Sequence, residues 1–296
     1  MAEAWTYISP GSSQIVLTEA SANRYLHSVE GVGMPKSQHF TTNAAQQHGV
    51  TFQNFRLNSR VVTMSFGVLN TDRQAMYDTN QTFIERMRQD PSTGILRFQD
   101  TNDVKYELDV HFYDGLDTGV PSRINPFSTL YTLQFIAYDP VWRQLPQASH
   151  TSTIPTTSQL QFPITYPIQY YETTIEDTDT IVASGTWQSN PIVTITGPIL
   201  NPTVTNSTTD EKLEFSYTVS ASEVVTIDLT PGTKTITNAS STNLISKLSA
   251  DSDLGTFHLA VDPEAAGGSN TILMEGADAT IDTSIAMSWY NRYLGI

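Results

Sequence analysis

The sequence contains no cysteine, few charged residues and no long hydrophobic run, and each absence excludes a class of protein. Without cysteine, the 296-residue chain has no disulfides, thiolate zinc sites, iron–sulfur clusters or cysteine nucleophile. No window approaches the roughly 18 consecutive apolar residues of a membrane helix, so we expect no membrane insertion. Glu3 and Pro10 fall where a secretory signal needs bases and an unbroken apolar segment, so we expect a protein kept inside the cell that makes it.

The residues that are present favour a strand-rich protein. Charged residues make up only 15% of the chain, and Thr, Ser, Gln and Asn fill the other polar positions, which is typical of sheet surfaces. Hydrophobic residues make up 39% of the chain. The length is enough for one large or two ordinary domains with buried cores.

Acidic residues are distributed unevenly between the two halves. Up to residue 150 there are 11 basic and 14 acidic residues, whereas from residue 151 onward there are 4 and 16. Binding to a phosphate backbone depends on Lys and Arg, so the acidic excess argues against specific nucleic-acid binding. The acidic excess remains compatible with a channel wall along which DNA moves without binding.

A proline-rich stretch separates the two halves. Between Arg143 and Pro167 there are four prolines and almost no charge. Proline fixes a backbone angle and removes a hydrogen-bond donor, so this stretch predicts neither strand nor helix. We therefore predict a first domain over residues 1–145, a Pro/Thr-rich linker over 146–165 and a second domain over 166–296.

The sequence pattern of the first half predicts a set of strands with one helix packed against them. A mostly buried strand over Arg60–Leu69 precedes a helix that begins at Thr71, with a capping box closed by Gln74. The helix ends at Asp90, before Pro91. Its inward face carries Met76, Phe83 or Ile84, and Met87. Further strands are predicted over 95–98 and 105–112, as a hairpin, and over 131–138.

The second half predicts a β-sandwich or jelly-roll. Short alternating segments lie between turn residues, and only 242–248 has the pattern of a helical turn. The predicted strands cover 191–196, 203–205, 212–219, 224–229, 233–237, 255–261, 271–274 and 285–293.

No pattern points to catalysis, a metal or a cofactor. The common hydrolase, phosphate-loop, zinc-protease and dinucleotide motifs are missing. No two histidines have metal-ligand spacing, so we expect packing or surface roles for His27, His39, His48, His111, His150 and His258. The acidic segments 172–179 and 251–253 fit solvated turns better than ion sites, because no Glu closes a calcium loop after Asp251. We predict a protein that is not an enzyme.

Aromatic residues of the second half are the remaining candidates for a binding site. Exposed rings on sandwiches can act as platforms for sugars, and Trp187, Trp289 and Tyr290 are the carbohydrate candidates. The alternative is that the rings form core or contact another subunit. Because side chains alternate along a strand, at most one of Trp289 and Tyr290 can be core. Other rings in this half are Tyr166, Tyr170, Tyr171 and Tyr293.

Several segments, taken in order, resemble one family. Residues 190–206, with their Gly-Pro and second Asn-Pro, followed by 208–215, resemble the C-terminal domain of siphophage distal tail proteins (Dit). Residues 225–228, 268–272 and 289–295 match later parts of that pattern. Upstream, the segments 60–63, 72–73, 90–94 and 137–142 resemble the N-terminal belt domain. The turn within 263–270 is longer than the family's, and the first 55 residues match loosely.

The resemblance implies a structural virion protein at the tail tip, assembled in the host cytoplasm. Belt domains would close a hexameric ring around a DNA channel, and galectin-like C-terminal sandwiches would project outward. The ring would join the tail tube protein to tail-tip or receptor-binding proteins, with DNA only passing through. The alternative is a carbohydrate-binding tail module that adheres to host glycans.

Overall fold

The chain folds into two compact units. One comprises residues up to Leu145 together with Tyr293–Ile296, and the other comprises Pro146–Arg292. The structure is a computed structural model that describes residues 3–18, 23–116, 128–153, 175–280 and 282–296. Over these ranges the fold is mainly β with one α-helix, as predicted. No helix within the described ranges is long and apolar enough to cross a membrane.

The first unit is built on a curled antiparallel sheet. Its strands are β1 (Ala4–Ile8), β2 (Gln14–Val16), β3 (Arg24–Glu30), β4 (Ser37–Thr42), β5 (Thr51–Leu57), β6 (Arg60–Leu69), β7 (Gly94–Gln99), β8 (Lys105–Gly115), β9 (Ser128–Ala137) and β10 (Trp142–Leu145). The main sheet has the order β2-β1-β7-β8-β9-β6-β3, and β10 pairs with the start of β8. The rings of Tyr7 on β1 and Phe135 on β9 lie 5.1 Å apart, so the sheet curls until its two sides face each other.

Buried side chains alternate with more exposed ones along β6, and the buried ones form part of the core of this unit. Val62, Met64, Phe66 and Val68 are buried, whereas their neighbours on the strand point to the other face. Burying each such side chain contributes about 1.5–3 kcal/mol. The strand Arg60–Leu69, the 95–98/105–112 hairpin and the 131–138 strand are all confirmed as parts of this sheet.

Helix α1 (Arg73–Arg86) covers the core, but it begins differently from the prediction. The N-cap is Asp72, whose carboxylate accepts a hydrogen bond of 2.8 Å from the Ala75 backbone N–H. Thr71 lies one residue too early for this role and instead donates to Asp72. Phe83 is buried and Ile84 is exposed, which settles the alternative left open for the inward face. The helix ends at Arg86, before the predicted Asp90.

The second unit is a sandwich of two antiparallel sheets. Its strands are β11 (Ala148–Thr153), β12 (Ile175–Val182), β13 (Ile192–Thr196), β14 (Ile199–Asn206), β15 (Glu211–Glu214), β16 (Thr218–Val219), β17 (Val224–Asp228), β18 (Thr235–Asn238), β19 (Ser269–Ala277) and β20 (Ser284–Trp289). One sheet has the order β11-β20-β13-β17-β18 and the other β12-β19-β14-β15, with β16 also paired to β14. Residues from both sheets, such as Val193, Met287, Val204 and Ile272, form one core. The predicted helical turn is a 3-10 turn at Ile245–Lys247.

Two predicted features of this unit differ in the structure. The segment 146–165 does not begin as a linker, because β11 within it pairs with β20 over six residue pairs; residues 154–165 lie outside the described residues. The predicted strand over 255–261 is absent. There the Asn270 side chain takes the place of a strand partner, bonding both the N–H and the carbonyl of Ala260 at 2.8 Å. A single bridge joins Ser189 and Leu259.

Candidate assembly interface

A β-hairpin in the first unit stands apart from the main sheet. We call residues 37–57, which hold β4, β5 and their turn, the arm. Its strands form a separate two-stranded sheet, and every residue from 37 to 56 is exposed. A lone hairpin is at best marginally stable in water, so the arm would be stabilised by packing against another surface.

A β-bulge gives the arm an apolar face. Phe52 and Phe55 are three residues apart, so a regular strand would send them to opposite faces. The pairing shifts between Phe40 and Thr41, however, so that Phe52 opposes Thr41 while Phe55 opposes His39. Both phenylalanines therefore lie on the His39 side, where the His39 and Phe52 rings meet at 5.6 Å. Phe52 is 55% and Phe55 45% exposed.

The opposite face of the arm carries Phe40 among polar side chains and is internally bonded. The Arg56 guanidinium donates two hydrogen bonds to the Gln38 amide oxygen, at 3.0 and 2.8 Å, and lies 5.6 Å above the Phe40 ring. Gln53 donates to the Thr42 hydroxyl at 3.0 Å. These contacts connect the two strands, so the arm is an ordered, amphipathic hairpin.

The arm also has an unusual charge for this chain. Residues 31–71 contain no Asp or Glu, although the chain as a whole has 30 acidic and 15 basic residues. The charged side chains of that stretch are Lys36, Arg56 and Arg60. Within the arm itself Arg56 is the one charged side chain, and it is bonded to Gln38, so the lack of acid rather than a positive charge distinguishes the arm from the rest of the chain.

Exposed apolar side chains are concentrated in the first unit. Of the 17 large hydrophobic residues exposed in the described part of the chain, 15 lie in that unit and only Val182 and Ile245 in the other. Single exposed apolar side chains are common on monomers, but their concentration in one of the two units makes this unit the candidate interface. The 15 are Tyr25, Leu26, Met34, Phe40, Val50, Phe52, Phe55, Val61, Leu69, Tyr77, Ile84, Tyr113, Leu130, Tyr138 and Ile296.

A cleft of about 360 Å³ opens in the same unit. We call it the β8–β9 cleft; its lining includes Asp90, His111, Tyr113, Ile136 and Tyr138. The His111 and Tyr138 rings lie 5.6 Å apart. The backbone N–H of Ser92 donates to the Asp90 carboxylate at 2.8 Å, and this bond, with the Ser92 hydroxyl and the nearby Arg88 and His111, lowers the pKa of Asp90. The cleft therefore holds a carboxylate beside exposed aromatic rings.

Carboxylates also converge inside the first unit, but arginines neutralise them. Glu107 is buried and accepts from Arg97 at 2.6 Å and from Arg143 at 3.2 Å. Asp109 accepts two further bonds from Arg143, at 2.6 and 2.7 Å. Burial acts to lower the pKa of Arg143, but its bonds to Asp109 and Glu107 outweigh this and the pKa is raised. This arrangement is a structural ion-pair network rather than an acid and base pair.

The structure buries one of the three predicted carbohydrate candidates. Trp289 is only 5% exposed and belongs to the core of the second unit, so its ring cannot stack on a sugar. Trp187 and Tyr290 are half-buried, and the Tyr290 carbonyl accepts from Ser189 at 2.8 Å. As predicted, only one of Trp289 and Tyr290 is core. Tyr166, Tyr170 and Tyr171 lie outside the described residues.

The acidic segments have partners within the fold. On β12, Asp179 accepts from His150 at 2.9 Å and Asp177 accepts from Ser152. Asp253 accepts from the Lys212 backbone N–H at 3.0 Å. In the part of the chain that the structure describes, no group of three or more His, Asp or Glu residues is arranged to hold a metal ion. Glu172 lies outside those residues.

The arm was not identified from the sequence, although two signals mark it. Apolar and polar side chains alternate in part over residues 51–57, and Gly49, at a φ of +80°, lies in the turn that precedes them. The absence of acid over residues 31–71 is the second signal. Neither signal shows that the bulge brings Phe52 and Phe55 to one face, because that depends on the pairing register.

Comparisons with known proteins agree with this fold. Residues 184–293 match the family model described as the siphovirus-type tail component, C-terminal domain (SPP1 Dit), which confirms the predicted resemblance to distal tail proteins. No curated protein matches the chain. The crystal structure of SPP1 Dit, described as a paradigm of hub adsorption apparatus in Gram-positive infecting phages, aligns with a TM-score of 0.66 and 12% identity. This alignment covers 97% of this chain and 98% of that one, so the two share a fold.

A second solved structure, the phage P2 baseplate in its activated conformation with Ca, aligns with a TM-score of 0.47 and 10% identity. That alignment covers 97% of this chain and 98% of the other.

Proposed function

We propose that this chain, whose residues 184–293 belong to the siphovirus-type tail component family, is a distal tail protein that forms a hexameric ring at the phage tail tip. The ring joins the tail tube protein to tail-tip or receptor-binding proteins and leaves a channel through which DNA passes. The protein is assembled in the host cytoplasm and acts by assembly rather than by catalysis.

The observation that carries this proposal is the concentration of exposed apolar surface in the first unit. Among the residues that the structure describes, 15 of the 17 exposed large hydrophobic residues lie there. A ring requires two different, complementary surfaces on each subunit, so that every copy contacts the next in the same way. The arm and the sheet that carries the β8–β9 cleft provide two such surfaces on one unit.

The charge distribution supports the same assignment of roles. The half of the chain that ends at residue 150 has 11 basic and 14 acidic residues, so copies can pack closely without strong repulsion. From residue 151 onward, 16 acidic residues stand against 4 basic ones, which suits a projecting, well-solvated unit. An acidic surface also disfavours retention of DNA, because affinity for phosphates comes from Lys and Arg.

The size and shape of the purified particle test this proposal. Light scattering combined with native mass spectrometry should give six copies of the 32.7 kDa chain, and negative-stain images should show a ring with a central hole. A chain that stays monomeric at high protein concentration, or an assembly without a hole, would contradict the proposal.

A further inference from the structure

The β8–β9 cleft contains a buried hydroxyl that the fold does not use. Tyr7 of β1 lines this cleft and is only 2% exposed, yet its hydroxyl has no hydrogen-bond partner among the residues that the structure describes. The oxygen lies against Gly94, where a Cβ would come within 2.8 Å of it, and close to the charge of Asp90. Gly94 and Asp90 also line the cleft, so the hydroxyl faces into it. A buried polar group without a partner costs free energy, which a bond to a ligand in the cleft would offset.

Two exposed tyrosine rings stand beside this hydroxyl in the lining of the cleft. Tyr138 is 70% and Tyr113 is 55% exposed. The pairing of β8 with β9 shifts between Phe112 and Asp114, so Tyr113 is the extra residue of a bulge. The Tyr138 ring lies 5.6 Å from the ring of His111. Exposed aromatic rings at a concave site provide flat apolar surfaces on which a sugar ring can stack.

The polar groups of the cleft carry both signs of charge and both hydrogen-bonding roles. The Asp90 carboxylate only accepts hydrogen bonds, whereas the Arg88 guanidinium only donates them. A cationic ligand would meet Arg88 and an anionic ligand would meet Asp90, so a net charge of either sign gains little. Burial and the nearby Asp90 raise the pKa of Tyr7, so its hydroxyl stays protonated at neutral pH and can donate or accept. A neutral ligand with several hydroxyl groups can bond to all three side chains.

The size of the cleft limits the ligand to a small molecule. Its volume of about 360 Å³ lies near the lower end of the range of ligand pockets, about 300–1,000 Å³. We propose that the β8–β9 cleft binds a neutral pyranose sugar, with the apolar face of the sugar ring against the exposed tyrosines and its hydroxyl groups bonded to Tyr7 and Asp90. This site is distinct from the carbohydrate candidates predicted from the sequence, which all lie in the second unit. The inference goes beyond the proposed function and does not depend on it, because the single chain contains the whole cleft.

A matched set of sugars tests the choice of ligand. Glucose, galactose and mannose are titrated as methyl glycosides into the full chain, each beside its 2-amino and its uronic acid counterpart, and binding is followed by saturation-transfer difference NMR. We expect at least one neutral glycoside to bind with a Kd of about 1 mM. Its cationic and anionic counterparts should bind about three-fold or more weakly, because each places a charge beside a like charge in the cleft.

Two variants test the position of the sugar. Tyr7→Phe removes only the unused hydroxyl, so it should leave the melting temperature unchanged or slightly higher while raising the Kd of the sugar about five-fold. Tyr138→Ala removes an exposed ring and should raise the Kd about ten-fold with little effect on stability. Tyr77→Ala is the control, since Tyr77 is 48% exposed on α1 outside the cleft, and it should leave the Kd unchanged.

Several outcomes would overturn the inference. Failure of every neutral glycoside to bind would remove the sugar, and binding of only the amino or only the uronic acid forms would make the cleft an ion site. A Kd that is unchanged in both Tyr7→Phe and Tyr138→Ala would place the sugar elsewhere on the chain. A lower melting temperature in Tyr7→Phe would show that the fold itself uses the hydroxyl. Native mass spectrometry of the same samples gives the number of copies, so the proposed ring and the sugar site are judged separately.

Discussion

The guanidinium of Arg60 donates a hydrogen bond to the backbone carbonyl of Leu294, 234 residues further along the chain. The same side chain donates to the carbonyls of Gly31 at 3.1 Å and Val32 at 2.9 Å, and lies 5.9 Å from the Trp142 ring centre. Burial lowers the pKa of Arg60 to about 10, which means that enclosing this cation costs free energy at neutral pH. Carbonyl oxygens of the first unit and of the C-terminal residues offset that cost.

Replacing Arg60 should therefore weaken the first unit through its C-terminal residues. Arg60→Ala removes the donor that the carbonyls of Gly31, Val32 and Leu294 share and leaves a cavity where a buried side chain was, so we expect the free energy of unfolding to fall by about 3 kcal/mol in urea denaturation. Arg56→Ala, on the exposed arm, is the matched control and should change stability by less than about 0.5 kcal/mol.

Deleting residues 293–296 checks the cause of that effect. If Arg60 acts by holding Leu294, Arg60→Ala should cost clearly less in the truncated chain than in the full chain, because the two changes remove one shared interaction. Full additivity of the two losses would contradict this account.

The arm should be needed for assembly and not for folding of the single chain. Phe52 is 55% exposed, so Phe52→Asp should leave the melting temperature nearly unchanged. If a neighbouring subunit packs against the Phe52 face of the arm, the substitution should raise the dissociation constant of the oligomer by about ten-fold or more, measured by analytical ultracentrifugation. Ile245→Asp, at a 46% exposed position of the second unit, should leave the oligomer intact. An unchanged oligomer in Phe52→Asp would exclude the arm from the interface.

Acid should destabilise the second unit through two carboxylates. The bond from His150 lowers the pKa of Asp179 below 3.8, and bonds from the Ser220 N–H and then Tyr217 lower the pKa of Glu223 below 4.5. Below those ordinary values the unfolded chain binds more protons than the folded chain, so stability present above them is lost as pH falls. Urea denaturation followed by tryptophan fluorescence between pH 6 and pH 3 should show this decline.

The double variant Asp179→Asn/Glu223→Gln separates these two groups from the remaining acids. It cannot gain protons at either position, so its stability should depend less steeply on pH over that range. An equally steep decline in the double variant would assign the acid sensitivity to other carboxylates.

The beginning of α1 provides a local test of capping. Asp72 accepts the Ala75 N–H, so Asp72→Ala should lower the free energy of unfolding by about 1 kcal/mol. Thr71→Ala removes only a donor to Asp72 and should change stability by less than about 0.5 kcal/mol. A larger loss for Thr71→Ala than for Asp72→Ala would restore the capping box that the sequence suggested. Thermal unfolding followed by circular dichroism measures both.

Patterns within a few residues of each other were sufficient to predict much of the fold. The alternation of Arg60–Leu69 decided which residues of β6 face the core, because successive side chains on a strand point to opposite sides. The 3.6-residue spacing of Met76, Phe83 and Met87 likewise predicted the buried face of α1. The cap was misplaced by one residue, since Thr71 and Asp72 both have side chains that can accept the required hydrogen bond.

The candidate interface and the misplaced elements depend on contacts between distant segments. The sequence by itself determined a two-part, cysteine-free β protein with an acidic second half, because composition and period reflect local preferences. Only the tertiary structure decided that residues 255–261 do not form a strand and that the Asn270 side chain bonds their backbone instead. It also decided that the Leu294 carbonyl accepts a hydrogen bond from Arg60. It also decided that a bulge turns Phe52 and Phe55 to one face. Hydrogen bonds and pairing registers between distant segments are set by the folded arrangement of the whole chain, and no local pattern records them.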